Sequence, residues 1–283
     1  MRLRAIGLLL LGLGATVPAY AGTLDSVRSE KVLRIAYRAD VPPFSSAQDG
    51  SEPTGFSIDL CRLVAARLSK QLGLSSLDVH FVKVNASDRL QAIIDGRAHI
   101  ECGSTTVTFS RLEKVDFSVL FYITGTSLMT RAGSPVKSFD DLGGHKIGVT
   151  EGTTTDRVIT QTLRDRGINA EVVHVADNQA ALALLLGNKI SAMAGDQATL
   201  LGLGMTSGRR DDLLMTADLL SVESLAFPIP RNDADFRIAV NRALSDIYVS
   251  GDVGRTWTKW FGPFGVKPTS LLLELYRLNS FPE

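Results

Sequence analysis

The sequence has few metal-binding side chains and no surplus of charge of either sign. Its 283 residues include two cysteines and four histidines, and no two histidines are spaced four apart as in a helical zinc motif. We therefore expect no metal and no other cofactor. Lys and Arg total 30, and Asp and Glu also total 30. Because duplex binding depends on surplus cations that neutralise phosphates, this balance argues against a nucleic-acid partner.

No apolar run reaches the roughly 20 residues that a bilayer requires. One shorter run lies at the amino terminus, where Arg2 and Arg4 precede an apolar stretch at 5–15 and a small-residue pattern at 19–21. This order is typical of a secretory signal peptide. We predict that residues 1–21 are removed and that the mature chain is periplasmic. No cysteine closely follows the cleavage pattern, so we expect no lipid anchor.

Both cysteines, Cys61 and Cys102, remain in the predicted mature chain. An even number of cysteines in an oxidising compartment usually indicates a disulfide. Two small buried thiols that never meet are the other interpretation. The sequence leaves both open.

Short β-rich runs alternate with segments of helical periodicity along the mature chain. In one such helix, behind a predicted serine cap at Ser57, the residues Leu60, Val64 and Leu68 share a face. Alternation of this kind predicts a mostly parallel sheet covered by helices. The elements predicted first are strand 32–37, helix 57–68, strand 79–84, helix 88–94 and strand 98–102.

The pattern then restarts, which predicts a second sheet. In both halves a glycine, Gly96 or Gly187, ends an apolar helix, where a positive φ is commonly needed. Two further helices and an apolar stripe of Leu271, Leu272, Leu275 and Leu278 are expected to return to the first lobe. The elements predicted here are strand 147–150, helix 155–166, strand 171–175, helix 179–186, strand 190–194 and helices 234–249 and 253–260.

The predicted fold class is therefore α/β with two lobes, each a mostly parallel sheet flanked by helices. The chain is expected to cross between the lobes near 122–126 and again near 219–223. Two connections suit a hinge, because they permit bending and restrict free rotation. We predict lobe 1 from residues 22–124 and 222–283, and lobe 2 from residues 125–221.

Polar side chains follow the predicted strands, where ligands of open α/β sheets bind. They include residues 38–44, 103–106 and 150–155, with Asn178 and Asp196. An arginine and a helix amino terminus can take a carboxylate, while an aspartate can take an ammonium group. These groups suit a zwitterion.

Local sequence leaves single residues open. Arg111 is either a ligand clamp or part of a surface ion pair with Glu113 or Asp116. A lone aspartate such as Asp196 is more often a turn or helix-cap residue than a ligand-binding one.

The opening stretch at 33–44 (LRIAYRADVPPF), continued by GFSIDL, resembles that of the periplasmic polar amino-acid binding proteins that serve ABC importers. The segment ECGSTT at 101–106, followed by Arg111 and VDFS, is similar to the signature segment of that family. This resemblance implies the two-lobed periplasmic-binding-protein fold, an amino-acid ligand and a membrane permease as partner; we expect a monomer. Further similar segments, which extend the resemblance over the mature chain, lie at residues 140–142, 148–149, 152–154 and 257–261.

The resemblance also implies roles for individual residues. Arg111 would grip the ligand α-carboxylate with help from Thr106 and Thr154. Ser104 and Asp196 would hold the α-ammonium group.

Within the family the sequence looks closest to glutamate/aspartate binders, in which arginines matching Arg38 and Arg89 serve the side-chain end of the ligand. A histidine expected there is replaced by Asn178, which keeps hydrogen-bond donors but loses a source of positive charge. Phe44 would form an apolar wall, and Thr153 is included among the ligand-binding residues.

An acidic ligand also agrees with the charges of the predicted pocket. Two extra arginines left unpaired beside a neutral ligand would each cost about 3–5 kcal/mol. The alternatives are that Arg38 faces solvent or pairs with Asp40, and that Arg89 forms a helix-end ion pair with Asp88 or Glu101.

We therefore predict capture of glutamate or aspartate without chemistry. The alternative is a secreted dehydratase of the cyclohexadienyl or arogenate type on the same fold, which needs a general acid. Besides Asp196, only Glu101 and Glu151 lie near strand ends, and neither has a recognisable base partner. A soluble protein that delivers ligand to a receptor is a further alternative, since no signalling module follows Glu283.

Overall fold

The computed structural model describes residues 22–282, so the predicted signal peptide lies outside the described residues. Within that range no helix is both long and apolar enough to cross a membrane. The strands are β1 (Val32–Arg38), β2 (Asp40–Val41), β3 (Ser45–Ser46), β4 (Asp78–Val84), β5 (Ile100–Glu101), β6 (Asp116–Phe117), β7 (Tyr122–Thr124), β8 (Thr126–Arg131), β9 (Lys146–Thr150), β10 (Glu171–Val175), β11 (Ala192–Asp196), β12 (Leu213–Met215), β13 (Glu223–Leu225) and β14 (Pro228–Ile229). The α-helices are α1 (Thr23–Glu30), α2 (Phe56–Gln71), α3 (Arg89–Ile94), α4 (Phe109–Leu112), α5 (Thr154–Asp165), α6 (Asn178–Leu186), α7 (Gln197–Thr206), α8 (Ala234–Val249), α9 (Asp252–Phe261) and α10 (Ser270–Leu278).

The first lobe is built on a parallel sheet of order β4–β1–β5. Buried apolar residues of α2, α8, α9 and α10 form one cluster with those of the sheet, so the carboxyl-terminal helices return to this lobe as predicted. Cys61 of α2 and Cys102, directly after β5, form a disulfide, which confirms the bonded interpretation. A disulfide of this kind typically stabilises a fold by about 2–4 kcal/mol.

The second lobe is built on a five-stranded sheet of order β10–β9–β11–β8–β12. β8 runs antiparallel to both of its neighbours, β11 and β12, whereas the β10–β9 and β9–β11 pairs are parallel. Successive side chains of a strand point to opposite faces, and the core divides accordingly. Leu128 and Ala192 pack with α5 on one face, whereas Met129 and Met193 pack with α6 and α7 on the other.

Two short strands connect the lobes. β7 leads towards lobe 2 and β13 leads back, and the two pair antiparallel, with Thr124 opposite Glu223 and Tyr122 opposite Leu225. The predicted fold class, with two lobes and two connections, is thereby confirmed. We propose that the lobes divide at this ribbon, at the boundaries that the sequence predicted.

One predicted helix start is wrong, and one predicted helix end is right in position but not in backbone conformation. The cap of α2 is Gly55, whose φ of 142° excludes most side chains and whose Cβ would lie 2.1 Å from the Phe44 carbonyl oxygen. Ser57 lies inside the helix and donates to the Gly103 carbonyl over 2.7 Å. At the end of α6, Gly187 has a φ of −79°, and the left-handed position falls on Asn188. Asparagine tolerates that conformation because its polar side chain bonds locally.

Two further predictions differ from the structure, one in the bounds of a strand and one in which leucines of a helix are buried. Strand β11 begins and ends two residues later than predicted, so that Asp196 ends the strand. On α10, Leu272 and Leu275 are buried but Leu271 and Leu278 are exposed. The predicted apolar stripe is therefore only half right, and Tyr276 completes its buried face.

Candidate ligand-binding site

A small cavity lies between the lobes, at the carboxyl ends of β1, β5, β9 and β11. Its volume is about 30 Å³. One water needs roughly 10–15 Å³ on the same measure, so an amino acid could enter only when the lobes part. The predicted site residues that line it are Arg38, Arg89, Ser104, Thr106, Thr153, Thr154, Asn178 and Asp196.

Arg38 and Asp40 form a buried bidentate ion pair at one end of the cavity. The Nε–Oδ1 distance is 2.9 Å and the second guanidinium nitrogen lies 2.6 Å from Oδ2. The side chains are only 5% and 9% exposed. The sequence alternative in which Arg38 pairs with Asp40 is therefore the observed one, although Arg38 still lines the cavity.

The same Asp40 carboxylate also binds the opposite lobe. Its Oδ2 accepts from the backbone nitrogen of Asn178 over 2.9 Å and from the side-chain nitrogen over 3.1 Å. Asn178 begins α6, whose cap is Asp177, so the carboxylate lies at a helix amino terminus, where negative charge is stabilised. We call this cross-lobe contact of Arg38, Asp40 and Asn178 the Asp40 bridge.

Arg89 is buried without a carboxylate partner. Its Nε donates to the Thr105 hydroxyl over 2.8 Å and a terminal nitrogen donates to the Ala86 carbonyl. No ion pair reaches it from residues 22–282, so the predicted alternatives with Asp88 and Glu101 do not form. Burial, with Arg111 and Arg38 nearby, lowers the pKa of Arg89 to about 9.

Thr105 links Glu101 to Arg89 by hydrogen bonds. Its hydroxyl accepts from Arg89 and donates to Oε2 of Glu101 over 2.7 Å. The other oxygen of this fully buried carboxyl makes no hydrogen bond with any residue from 22 to 282. Burial raises the pKa of Glu101, and Arg89 opposes that rise. Glu101 is not among the residues that line the cavity.

Arg111 is also buried and lies beside the cavity. It donates to the Thr106 carbonyl over 2.7 Å, and the surface ion pairs with Glu113 and Asp116 are absent from the described part of the chain. Burial, and then Arg157, lowers the pKa of Arg111 to about 10. The structure thus contradicts the solvent-exposed interpretation, although Arg111 itself does not line the cavity.

Thr106 and Thr154 face each other across the lobes and share an acceptor. Their hydroxyl oxygens are 3.2 Å apart. Each donates to Oε2 of Glu223, over 2.5 Å and 2.6 Å. We call this second cross-lobe contact the Glu223 bridge. Neighbouring Thr153 caps α5 and donates to the Thr150 carbonyl over 2.7 Å.

Asp196 caps α7 and keeps one oxygen unpaired. Oδ1 accepts from the backbone of Ala198 and Thr199, over 3.0 and 3.1 Å. The Thr124 hydroxyl lies near enough to lower its pKa, yet Oδ2 is buried without a partner in hydrogen-bonding geometry. Burial, followed by the charge of Glu223, raises the pKa of Asp196 to about 7.

Phe44 does not form a wall of the cavity. It is fully buried in the core of lobe 1, where its ring packs edge-on against Phe56, Tyr122 and Phe261. Val41 lines the cavity instead. The phenylalanine turns away because this cluster of rings offers more apolar contact than the polar cleft does.

Comparison with known proteins identifies the family. Residues 33–263 match the model of bacterial extracellular solute-binding proteins, family 3. The chain belongs to this family.

Two relatives confirm the resemblance that the motifs predicted. This solute-binding protein is 30% identical over 258 residues to the L-glutamate/L-aspartate-binding protein of Pseudomonas aeruginosa, with 91% of this chain and 85% of that protein covered. It is 25% identical over 285 residues to the glutamate/aspartate import solute-binding protein of Salmonella typhimurium, with 97% and 94% covered.

The solved structures agree on the fold. The ancestral amino acid-binding protein AncCDT-1, a precursor of cyclohexadienyl dehydratase, matches this solute-binding protein with a TM-score of 0.72 at 26% identity. The match covers 85% of this chain and all of that one.

Two residues of the site were missed by sequence reasoning. Asp40 stands within the predicted loop 38–44, but was considered only as an alternative partner of Arg38. Glu223 lies at the second predicted crossing, where it is a single carboxylate followed by the apolar run at 225–229. That isolated charge beside a buried strand was the available signal.

Proposed function

We propose that the protein captures a free amino acid between its lobes in the periplasm and delivers it to the permease of an ABC importer. Family membership, the names of the two relatives and the polar cavity between the lobes support this proposal. Closure of the lobes would bury the ligand, and ligand binding would shift the population towards the closed form.

We propose further that the ligand is L-glutamate or L-aspartate. Arg89 and Arg111 are buried cations without an ion pair among the described residues, and Asp196 has a buried oxygen without a hydrogen bond. An acidic amino acid has two carboxylates and one ammonium group, so it would give each of these a partner. This complementarity is the observation that carries the proposal, because an uncompensated buried charge costs about 3–5 kcal/mol.

The roles follow from the positions of the unpaired groups. Arg111, with Thr106 and Thr154, would hold the α-carboxylate, and Asp196 with Ser104 would hold the ammonium group. Arg38 is already neutralised by Asp40. We therefore assign the side-chain carboxylate mainly to Arg89.

Thermal unfolding against a panel of free amino acids and dicarboxylates tests the ligand. A ligand at 100 times its Kd stabilises the folded state by about 2.7 kcal/mol, which is roughly 5–10 °C for a chain of this size. We expect that shift with L-glutamate or L-aspartate. A shift with L-glutamine alone would mean that Arg89 is structural, and no shift with any compound would contradict amino-acid binding.

Dehydratase activity is the second candidate, and one observation bears on it. Asp196 has a pKa of about 7, raised mainly by burial, as a general acid would need. One of its oxygens, however, is held by the backbone at the start of α7. We propose binding without turnover, and incubation with prephenate should give no change in absorbance.

A further inference from the structure

Glu223 is a buried carboxylate that no predicted role explains. It lies on β13, the returning connection between the lobes, and is 5% exposed. Its Oε1 accepts from the hydroxyls of Thr126 and Ser221, both over 3.0 Å. All of its hydrogen bonds come from hydroxyl groups, and no cation pairs with it within residues 22–282.

The cavity wall thus holds a second carboxylate beside Asp196. Both residues line the cavity, and the charge of Glu223 acts on Asp196 strongly enough to contribute to its raised pKa. Arg111 is near enough for the charge of Glu223 to act on it, but no cation forms an ion pair with either carboxylate within residues 22–282. The two carboxylates repel each other, and Oδ2 of Asp196 is buried without a hydrogen bond in that range. A cationic group between them would relieve both penalties.

We propose that Glu223 is a ligand-binding residue that holds the α-ammonium group together with Asp196. This inference rests on the proposed function, since it assumes an amino-acid ligand, but it does not depend on which side chain the ligand has. An ammonium group has three donors. The free oxygen of Asp196 takes one of them. Oε2 of Glu223 takes another when the hydroxyls of Thr106 and Thr154 turn from it to the ligand α-carboxylate. Ser104, which lines the same cavity, can accept the third.

The position of Glu223 couples this recognition to closure. Thr106 comes from lobe 1 and Thr154 from lobe 2, and both donate to the same oxygen of Glu223. The carboxylate is therefore placed at the hinge with both lobes around it only when the cleft is closed. An amino acid bound there is recognised in the closed form.

The test compares ligands with and without the amino group. Calorimetric titration at pH 8 of the full mature protein gives the ratio of affinities for L-glutamate and glutarate, for the wild type and for Glu223→Gln. Because hydrogen bonds to charged groups contribute more than neutral ones, we expect the preference for L-glutamate to fall by about 10- to 100-fold in the variant. Glu223→Asp keeps the charge and should retain most of the preference. Glu171→Gln, at an exposed glutamate of lobe 2, is the matched control and should change nothing.

Other outcomes would overturn the proposal. If Glu223→Gln lowered the affinity for L-glutamate and for glutarate by the same factor, Glu223 would stabilise the closed form without contacting the ammonium group. Loss of the folded state in Glu223→Gln, with Glu223→Asp folded, would make the carboxylate a structural part of the hinge. If the wild type bound L-glutamine and not L-glutamate, the acidic ligand would be wrong, and an unchanged preference of Glu223→Gln for L-glutamine over glutaramate would then overturn the role of Glu223. Failure of both pairs to bind would remove both proposals.

Discussion

Two carboxylates join the lobes, and they differ in what they neutralise. In the Asp40 bridge, the carboxylate forms a bidentate ion pair with Arg38 and also accepts from Asn178 at the start of a helix. In the Glu223 bridge, the carboxylate accepts only from hydroxyl groups. The charge of Asp40 is therefore compensated by an ion pair, whereas Glu223 has no ion pair within residues 22–282 and only the more distant charge of Arg111 acts on it.

The difference separates a structural contact from a site for ligand. A compensated carboxylate fixes a side chain and a lobe contact, but it has little attraction left for a second cation. A carboxylate without an ion pair, such as that of Glu223 beside the unpaired oxygen of Asp196, can still attract the ammonium group of a ligand. By the same argument Arg38 contributes less to ligand recognition than Arg89, which has no carboxylate partner in the described chain.

Stability should distinguish the two bridges most strongly. Asp40→Asn leaves Arg38 buried and unpaired, so we expect a loss of about 3–5 kcal/mol, or roughly 10 °C in Tm. Glu223→Gln removes a charge that has no ion pair and keeps one of the two accepting oxygens, so we expect a smaller loss of about 1–2 kcal/mol, or roughly 4 °C. Equal losses in parallel thermal scans would mean that the two carboxylates have the same structural role.

The pH dependence of the free energy of unfolding should show how much the buried, ionised Asp196 destabilises the folded protein. Its pKa is about 7 in the folded protein, raised by burial and Glu223 from an ordinary value of 3.8, and Tyr122 also faces it. The folded state therefore binds the proton more tightly, and its stability falls as pH rises from about 4 through 7. Asp196→Asn, which cannot ionise, should stabilise the protein at pH 8 by up to about 4 kcal/mol.

At pH 4.5 the same variant should differ little from the wild type, because the folded wild type is then protonated at Asp196. Asp196→Asn should also lose amino-acid binding. Thermal scans at the two pH values check the prediction. A variant that is less stable than the wild type at pH 8 would contradict the account of an unpaired buried carboxylate.

The two arginines provide a third comparison. Arg89→Met should weaken L-glutamate binding by about 100-fold, since the ligand loses its side-chain partner. Its Tm should fall less than that of Arg38→Met, because no ion pair is broken and only the charge that acts on the buried Glu101 is lost. Arg38→Met leaves Asp40 without its cation and should lower Tm instead. Calorimetric titration and thermal scans of both variants measure the contrast. A loss of affinity below about threefold in Arg89→Met would assign Arg89 to the fold.

The smallest expected effect concerns closure. Asn178→Ala removes the side-chain hydrogen bonds to Asp40 but leaves the backbone one, so closure should weaken by about 1–2 kcal/mol. Small-angle scattering of the ligand-free protein should then show a larger radius of gyration. Asn169→Ala, at an exposed position of the same lobe, is the control. An unchanged radius would show that the Asp40 bridge does not hold the lobes together.

Much of the fold could be predicted because each lobe carries its own periodic signal. Local spacing of apolar residues in the sequence predicts the strands around Ile35 and Ile147 and the apolar face of α2, and these residues are buried. The sequence could not decide whether Cys61 and Cys102 are bonded, because only the fold shows that the two side chains meet. The cap at Gly55 was missed because it depends on the distant Phe44 carbonyl, which no local propensity reveals.

The candidate site could be predicted as a set of residues but not as a set of partners. Most of the predicted side chains line one cavity, because they all follow strands whose carboxyl ends meet there. Which charges pair depends on side-chain directions and on the opposite lobe. The two cross-lobe contacts of Asp40 and Glu223 join residues more than 60 positions apart, and no spacing in the sequence indicates them.

A crystal structure of the mature protein with L-glutamate would show directly which side chains hold each charged group of the ligand. We expect one ligand carboxylate to contact Arg111, the other to contact Arg89, and the ammonium group to lie between Asp196 and Glu223. The Asp40–Arg38 ion pair should remain intact. A ligand whose side-chain carboxylate binds Arg38 after displacing Asp40, with Arg89 still bound only to Thr105 and Ala86, would contradict these assignments.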